Sequence, residues 1–263
     1  MNTVYLSHGG GPLPLLGHAE HRDMVAFLQN LASSLPRPKN IVVISAHWER
    51  HDIGISGAAL PGVEHDYYGF PTPAYDIDYP APGQPELADS LVEHLRRNSI
   101  EASLDKTKRF DHGVFVPLLL MYPDASVPVV QVSLNHSLAP ELHVELGRLI
   151  AEVAPEDTLL IGSGFSFHNM SAFRQANNDT TRQHNLAFEA WLVDTLMGHC
   201  KEEAHRQQRL TEWHTAPSAR FCHPREEHLL PLHVCYGANK TTPTALTHVE
   251  IMGIQSSMVV WKT

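Results

Sequence analysis

Histidine is the residue type in this sequence with the most chemistry to offer. The chain has 19 histidines among its 263 residues, as many as its lysines and arginines together. Neutral imidazole is the commonest metal ligand in proteins, and it exchanges its proton near neutral pH. Composition alone does not separate a metal site from histidines scattered over a surface, so the positions of the histidines must decide.

Three histidines stand at the ends of predicted strands. Each follows a short apolar run: His8 after residues 3–7, His47 after 41–45 and His168 after 158–163. In open α/β sheets, ligands bind in the crevice beyond the carboxyl ends of the strands. We therefore expect these imidazoles to meet at one edge of a sheet, where they would form a metal site or an acid–base site.

Two further histidines strengthen this interpretation. His112 follows an aspartate and precedes an apolar segment, and His228 stands where a loop meets another apolar segment. His223, five residues earlier in the chain, is a weaker candidate. Glycines at 9–11 and 162–164 are predicted to let the backbone turn sharply and approach a ligand closely. The remaining histidines are interpreted as solvated or bound in ordinary hydrogen bonds.

The elements that must position these residues alternate between strands and helices. The predicted strands cover 3–7, 41–45, 52–56, 127–133, 158–163 and a final pair around 246–261. The predicted helices cover 21–34, 84–98, 114–121, 139–153 and 180–205. This alternation predicts an α/β fold with a central, mainly parallel or mixed sheet flanked by helices and antiparallel additions near the C-terminus. Because no linker or repeat interrupts the pattern, residues 1–263 are predicted to form a single domain.

Composition excludes several classes of function. A formal charge of −10 argues against a nucleic-acid partner, since few groups would neutralise a phosphate backbone. No stretch approaches the 18 or so apolar residues of a membrane span. Three cysteines without a CxxC pair favour a reducing, cytoplasmic setting. The motifs of phosphate-binding loops, nucleophile elbows and HExxH zinc enzymes are absent.

A set of short motifs, taken in order, carries a family resemblance. The motifs are Ser7-His8-Gly9, Ser45-Ala46-His47-Trp48, Gly69-Phe70-Pro71, Tyr79-Pro80-Ala81-Pro82-Gly83, Asp111-His112-Gly113, Gly164 through His168-Asn169, and Glu227-His228-Leu229-Leu230-Pro231-Leu232. Together they resemble the class III extradiol ring-cleavage dioxygenases, and in particular the 4,5-DOPA extradiol dioxygenase branch. The resemblance runs from about residue 4 to the C-terminus.

The resemblance implies a role for each of the five histidines. His8, His47 and His228 would be the metal ligands, His168 the catalytic acid–base and His112 a catalytic residue that faces a substrate hydroxyl. The better-known members of the class complete the triad with a glutamate. Glu227 and its neighbour Glu226 stand beside the motif here, and Glu227 is the alternative third ligand.

Aromatic residues are candidates for the wall of the substrate pocket. We expect Trp48 to bind the substrate ring, together with a long proline-rich loop at 57–85 that carries Tyr68, Phe70 and Tyr75. A loop of this length inside a compact domain is usually functional. An aromatic minicore beneath the loop is an equal alternative.

The function implied by the resemblance is cleavage of a catechol ring, DOPA-like in substrate, with O2 to a hydroxymuconic semialdehyde. The cofactor would be one divalent metal, Fe(II) for turnover or Zn(II) as isolated, without an organic cofactor. The partners would be a small aromatic diol and O2, and the protein a monomer or small homo-oligomer. The alternatives are a zinc-dependent hydrolase or amidase on the same core and a non-catalytic metal-binding relative.

Overall fold

The computed structural model describes residues 1–176, 178–198 and 202–263. Its strands are β1 (Asn2–Ser7), β2 (Asn40–Arg50), β3 (Ile53–Ser56), β4 (Ala102–Asp105), β5 (Val129–Asn135), β6 (Thr158–Gly164), β7 (Ala245–Ile251) and β8 (Ile254–Trp261). Its helices are α1 (Arg22–Ser34), α2 (Pro85–Arg97), α3 (His112–Met121), α4 (Pro140–Val153), α5 (Met170–Phe173), α6 (Asp179–Met197), α7 (Glu203–Thr211), α8 (Ala219–Cys222) and α9 (Leu230–Asn239).

The described strands form one mixed sheet in the order β4-β3-β5-β2-β6-β1-β8-β7. The centre of the sheet is parallel, since β5, β2, β6 and β1 all run in one direction. At one side β3 pairs antiparallel with β5, and at the other β8 pairs antiparallel with β1 and β7. The α/β prediction with a mainly parallel centre is confirmed. The sequence did not reveal the antiparallel direction of β3.

The central strands are buried on both faces of the sheet. In β2, Ile41 and Val43 belong to one apolar cluster, and Val42 and Ile44 belong to the other. Helices α1, α3 and α6 contribute to the first cluster and α2 to the second, whereas α4 and α9 contribute to both. Alternate side chains of a strand point to opposite faces, so a continuous apolar run is what a strand packed on both sides requires.

Strand β2 is longer than predicted and contains an irregularity. The predicted strand 41–45 continues to Arg50, and its pairing with β5 shifts register between Ile44 and Glu49. More residues lie between these points on β2 than on β5, so the strand bulges. His47 therefore lies inside a strand, at the bulge, and the expectation that it follows a strand was wrong.

The predicted helix 180–205 is also corrected. The structure has two helices there, α6 and α7, and residues 199–201 lie outside the described residues. Helix α6 ends at Met197, because the next residue, Gly198, has an extended backbone with φ −66° and ψ 163° that cannot continue a helical turn.

Other sequence features fall as follows. Cys222 and Cys235 are free and buried, and Cys200 lies outside the described residues. Among the helices that the structure describes, none is both long and apolar enough to cross a bilayer.

Several buried histidines are neutral parts of the fold. The His143 ring is fully buried; its Nδ1–H donates to the Ala139 carbonyl at 2.8 Å, and its Nε2 accepts from the Asn135 N–H at 3.2 Å. Only a neutral ring makes both bonds. Burial lowers the pKa of His143 to about 4, and burial likewise lowers that of His223 to about 3.

These histidines make the fold sensitive to acid. Because the folded pKa of His143 lies below the unfolded value of about 6.5, the unfolded chain binds more protons between these pH values, and stability falls as pH is lowered. We expect His143→Gln to flatten the fall in unfolding free energy between pH 6.5 and 4 by up to ~1.4 kcal/mol per pH unit. Urea unfolding of the metal-free protein at several pH values measures the slope. The exposed His214→Gln control should keep the wild-type slope, and equal slopes in both variants would contradict this account.

Candidate metal centre and active site

All five candidate histidines line one cavity of about 370 Å³. They come from five separate parts of the fold: His8 directly after β1, His47 in β2, His112 at the first turn of α3, His168 after β6 and His228 just before α9. Strands β1, β2 and β6 are parallel neighbours, and Ser7 and Ser45 pair with Gly164 and Ser163 of β6. Their carboxyl ends therefore reach the same edge of the sheet.

The Nε2 atoms of three of these rings converge. His47 Nε2 lies 3.0 Å from His8 Nε2 and 3.3 Å from His228 Nε2. The Nδ1 atoms of His8 and His228, which point away from this cluster, have polar partners. His8 Nδ1 lies 3.0 Å from Ser163 Oγ, and His228 Nδ1 lies 3.1 Å from Glu227 Oε1.

Those partners determine which nitrogen carries the proton. Ser163 Oγ donates its own hydrogen to the Gly113 carbonyl, so it accepts from His8 Nδ1–H. A carboxylate oxygen only accepts, so His228 Nδ1–H donates to Glu227. Both Nε2 atoms therefore present lone pairs toward His47.

This arrangement fits a cation. A single N–H on His47 satisfies one of the two facing lone pairs and leaves the other without a partner, whereas a metal ion accepts all three. Imidazole nitrogens bind first-row metals at about 2.0–2.1 Å, which places neighbouring ligand nitrogens about 3.0–3.4 Å apart. Burial, and then repulsion from neighbouring histidines, holds the pKa of His8 and of His228 well below the usual range, as ligands that must be neutral require.

His112 could take the place of His228 in a group of three histidines that holds a metal. Nitrogens of His8, His47 and His112 lie within 4.8 Å of one another and could hold a metal. Asp66 holds the His112 ring: its Oδ1 accepts the His112 backbone N–H and its Oδ2 the ring Nδ1–H, both at 2.9 Å. Burial opposes ionisation of Asp66, but the hydrogen bonds and charge of His112 outweigh it and lower the pKa of Asp66 to about 2.

A single oxygen of the Glu227 carboxylate contacts both His168 and His228. Its Oε1 lies 3.0 Å from His168 Nδ1 and 3.1 Å from His228 Nδ1, and the two rings stack with centroids 3.4 Å apart. Burial raises the pKa of Glu227, but the hydrogen bond from His168 outweighs it, and the net shift is downward. Atoms of His168, Glu227 and His228 also lie within 4.8 Å of one another. Two N–H donors on the Glu227 carboxylate explain why His168, Glu227 and His228 lie together without a metal between them. The same two hydrogen bonds place Glu227 behind the cluster of Nε2 atoms.

Glycines bring the His228 segment against the sheet. A Cβ on Gly164 would lie 2.1 Å from the His228 carbonyl oxygen, and one on Gly162 would lie 2.5 Å from that of Pro231. Phe165 N–H and Tyr5 Oη donate to that same His228 carbonyl at 3.0 Å. The close approach predicted for these glycines is real, but their partner is the chain itself rather than a ligand.

The structure does not bring Trp48 to the cavity. His47 lines the cavity and Trp48 does not; the buried Trp48 ring packs elsewhere, with Lys108 Nζ 5.5 Å from its centroid. Tyr68 is 91% exposed. Phe70 lines the cavity, and Tyr67 lines it in place of the expected Tyr68.

Sequence reasoning missed several residues of the site. Asp66 and Tyr67 lie in the loop that was singled out for its aromatics, but nothing in the sequence marked them individually. His21, interpreted as solvated or bound in ordinary hydrogen bonds, is buried and accepts the Gly10 N–H at 3.0 Å beneath the glycine turn. His223, the weaker candidate, bonds the Ser166 carbonyl through Nε2 and does not line the cavity.

Comparison with known proteins identifies the family. Residues 3–258 match the family described as the catalytic LigB subunit of aromatic ring-opening dioxygenase. The chain belongs to the LigB family. This confirms the resemblance predicted from the motifs, and LigB proteins are metal-dependent ring-opening dioxygenases.

Individual relatives agree with the LigB assignment. A dioxygenase of Hapsidospora irregularis, tasH, is 37% identical over 257 residues, covering 90% of this chain and 77% of that protein. The 4,5-DOPA dioxygenase extradiol proteins of Beta vulgaris and Escherichia coli K12 are 34% and 35% identical, each over 90% of this chain and over 86% and 85% of their own lengths. The crystal structure of an uncharacterized Escherichia coli K12 protein superposes with a TM-score of 0.78 at 30% identity over the whole of both chains.

The Ser163 hydroxyl gives a test of the lone-pair argument. Removing a group that orients a metal-binding histidine typically weakens metal affinity about 10–100-fold. We expect that loss for Ser163→Ala, because His8 Nδ1–H loses its acceptor. Competition titration with a metal indicator measures the affinity. Ser133→Ala is the matched control, since Ser133 is a buried strand serine whose hydroxyl bonds only the Gly54 N–H in the described contacts. Wild-type affinity in Ser163→Ala would contradict the argument.

Proposed function

We propose that this LigB protein is an extradiol dioxygenase that opens the ring of a catechol with O2, beside its two hydroxyls, to a hydroxymuconic semialdehyde. The observation that carries the proposal is the convergence of three Nε2 atoms within 3.0 and 3.3 Å, with two more histidines on the same cavity. A hydrolytic metal site or a simple binding pocket needs fewer such groups. The names of the relatives point to the same reaction.

His8, His47 and His228 are proposed to hold the metal, Fe(II) for turnover or Zn(II) as isolated. A divalent metal held there would supply Lewis-acid chemistry that lowers the pKa of the catechol hydroxyls and makes O2 reactive. Because three imidazole ligands are neutral, the site would keep the full +2 charge of the metal ion. His228 is preferred over His112 because its Nε2 lies 3.3 Å from His47 Nε2, the spacing expected of two imidazoles bound to one ion.

His168 is proposed as the acid–base. Because its Nδ1–H is held by Glu227, its Nε2 is free to take a proton from a catechol hydroxyl and to return one as the ring opens. The negative charge of Glu227 stabilises the imidazolium that forms between these two steps. One residue thus serves both proton transfers.

His112 is proposed to face a substrate hydroxyl. Its Nδ1–H bonds Asp66, which leaves Nε2 as an acceptor on the cavity side. A hydrogen bond from a catechol hydroxyl to this Nε2 orients the diol before reaction. The Asp66 carboxylate balances any positive charge that forms on the His112 ring. The cytoplasmic location and the oligomeric state stay predictions from the sequence.

The direct test of the function is anaerobic loading with Fe(II), mixing with a catechol, and a pulse of O2. We expect a yellow semialdehyde to appear with one O2 consumed per catechol. A protein that transforms no catechol but hydrolyses amides or esters without O2 would be a zinc hydrolase, and the proposal would fail.

The role of His168 predicts a specific loss. His168→Ala should keep its metal and lower kcat about 10²–10⁴-fold, the usual contribution of a positioned acid–base. Steady-state O2 uptake and metal analysis of the same sample measure both quantities. His136→Ala, at a surface histidine whose side chain is 60% exposed, should leave both unchanged. Undiminished ring cleavage in His168→Ala would refute the acid–base role.

The identity of the third ligand predicts a contrast between two variants. His228→Ala should lose the metal, as should His8→Ala and His47→Ala. His112→Ala should keep it and lose catechol affinity instead. Metal content after dialysis against a weak chelator decides the question, and the reverse pattern would assign the third position to His112.

A further inference from the structure

The cavity wall opposite the histidines is apolar. It consists of Leu13, Tyr67, Phe70, Phe165, Met170, Phe173 and Met252, with the glycines of the 9–11 turn. The aromatic rings pack in edge-on pairs, with Tyr67 and Phe70 centroids 5.4 Å apart and Phe165 and Phe173 centroids 5.5 Å apart. Any part of a substrate that extends away from the metal-binding diol therefore contacts carbon and sulfur.

Charged groups do not line this wall. In the described ranges 1–176, 178–198 and 202–263, no lysine, arginine, aspartate or glutamate borders the cavity. Among the residues that the structure describes, the only hydroxyl on this wall is that of Tyr67, and it already donates to the Ala74 carbonyl at 2.6 Å. A carboxylate or ammonium group on the substrate would be buried there without a partner, which is strongly unfavourable.

Three charged side chains that contact residues around the site are not placed to receive a substrate carboxylate. Asp66 and Glu227 are anionic and bound to the histidines behind the cavity. Arg225 makes two hydrogen bonds to Glu49, at 2.5 and 2.6 Å, and is not on the cavity wall. Asp66, Glu227 and Arg225 therefore provide no partner for a substrate carboxylate in this cavity.

We propose that this enzyme selects catechols with an uncharged, apolar ring substituent, alkyl or aryl, over catechols that carry an amino-acid or carboxylate side chain. The proposal rests on the function proposed above and specifies its substrate class. The cavity volume of about 370 Å³ falls within the range of sites that enclose small organic ligands. The flexible Met170 and Met252 side chains let the wall adjust to substituents of different shape.

A matched pair of ligands isolates the charge. 4-Propylcatechol and 3-(3,4-dihydroxyphenyl)propionate differ at the end of the same three-carbon chain, where a methyl stands in place of a carboxylate. Calorimetric titration of the metal-loaded protein under anaerobic conditions gives their Kd values without turnover. We expect 4-propylcatechol to bind at least tenfold more tightly than the propionate, and about fourfold more tightly per added methylene than 4-methylcatechol. Equal affinities, or tighter binding of the propionate, would overturn the proposal.

A cation placed at the cavity rim should reverse the preference. Met170 is 63% exposed, so Met170→Arg can be accommodated without disturbing the core. This variant should gain at least tenfold in affinity for the propionate relative to 4-propylcatechol, with unchanged metal content. Leu60→Arg, at an exposed position away from the cavity, is the control and should not change the ratio. An unchanged ratio in a folded, metal-loaded Met170→Arg protein would contradict the proposed position of the substituent.

An O2 pulse at the end of each titration separates this proposal from the proposed function. If both catechols are cleaved with equal kcat/KM, the dioxygenase function stands and the substrate class is wrong. If 4-propylcatechol binds more tightly but neither catechol is cleaved, the selectivity of the cavity stands and the dioxygenase function is wrong. If no catechol binds the loaded protein, both are wrong.

Discussion

Lone pairs on imidazole nitrogens repel one another, and the site of this protein directs several of them at one point. Ser163 and Glu227 take the Nδ1 hydrogens of His8 and His228, so that both Nε2 atoms face His47 as acceptors. A metal cation held between these nitrogens would accept all of the lone pairs at once. The rest of the site depends on this constraint, because the same carboxylate that fixes His228 also orients His168.

The fold meets the constraint by bringing distant segments to one edge of the sheet. Parallel strands β1 and β6 end together at the pair Ser7 and Gly164, and β2 passes the same edge at Ser45, with His47 at its bulge just beyond. The small residues Gly162 and Gly164 let the segment before α9 pack directly on β6, which delivers His228. Rigid strands hold the ligand side, whereas the 57–85 loop supplies Asp66, Tyr67 and Phe70 to the substrate side.

Much of this arrangement could be predicted from the sequence, for reasons that are local. His8 and His168 follow apolar runs broken by glycine or polar residues, so their place near strand ends is visible in the chain. His47 was misplaced because the bulge in β2 depends on pairing with β5, more than 80 residues away in sequence. Trp48 was misassigned for the same reason, since its face of the strand follows from that of His47. The Asp66 and Glu227 hydrogen bonds and the apolar wall assemble only in three dimensions, and no spacing rule foretells them.

The central claim is that one metal ion lies where the Nε2 atoms of His8, His47 and His228 meet. Anomalous diffraction at the absorption edge of the bound metal, from crystals of the Fe(II)- or Zn(II)-loaded protein, tests it most directly. The account predicts a single strong peak about 2.0–2.2 Å from each of these three nitrogens. A peak bound instead by Glu227 and the Nδ1 of His168, or no peak within bonding distance of His47, would contradict it.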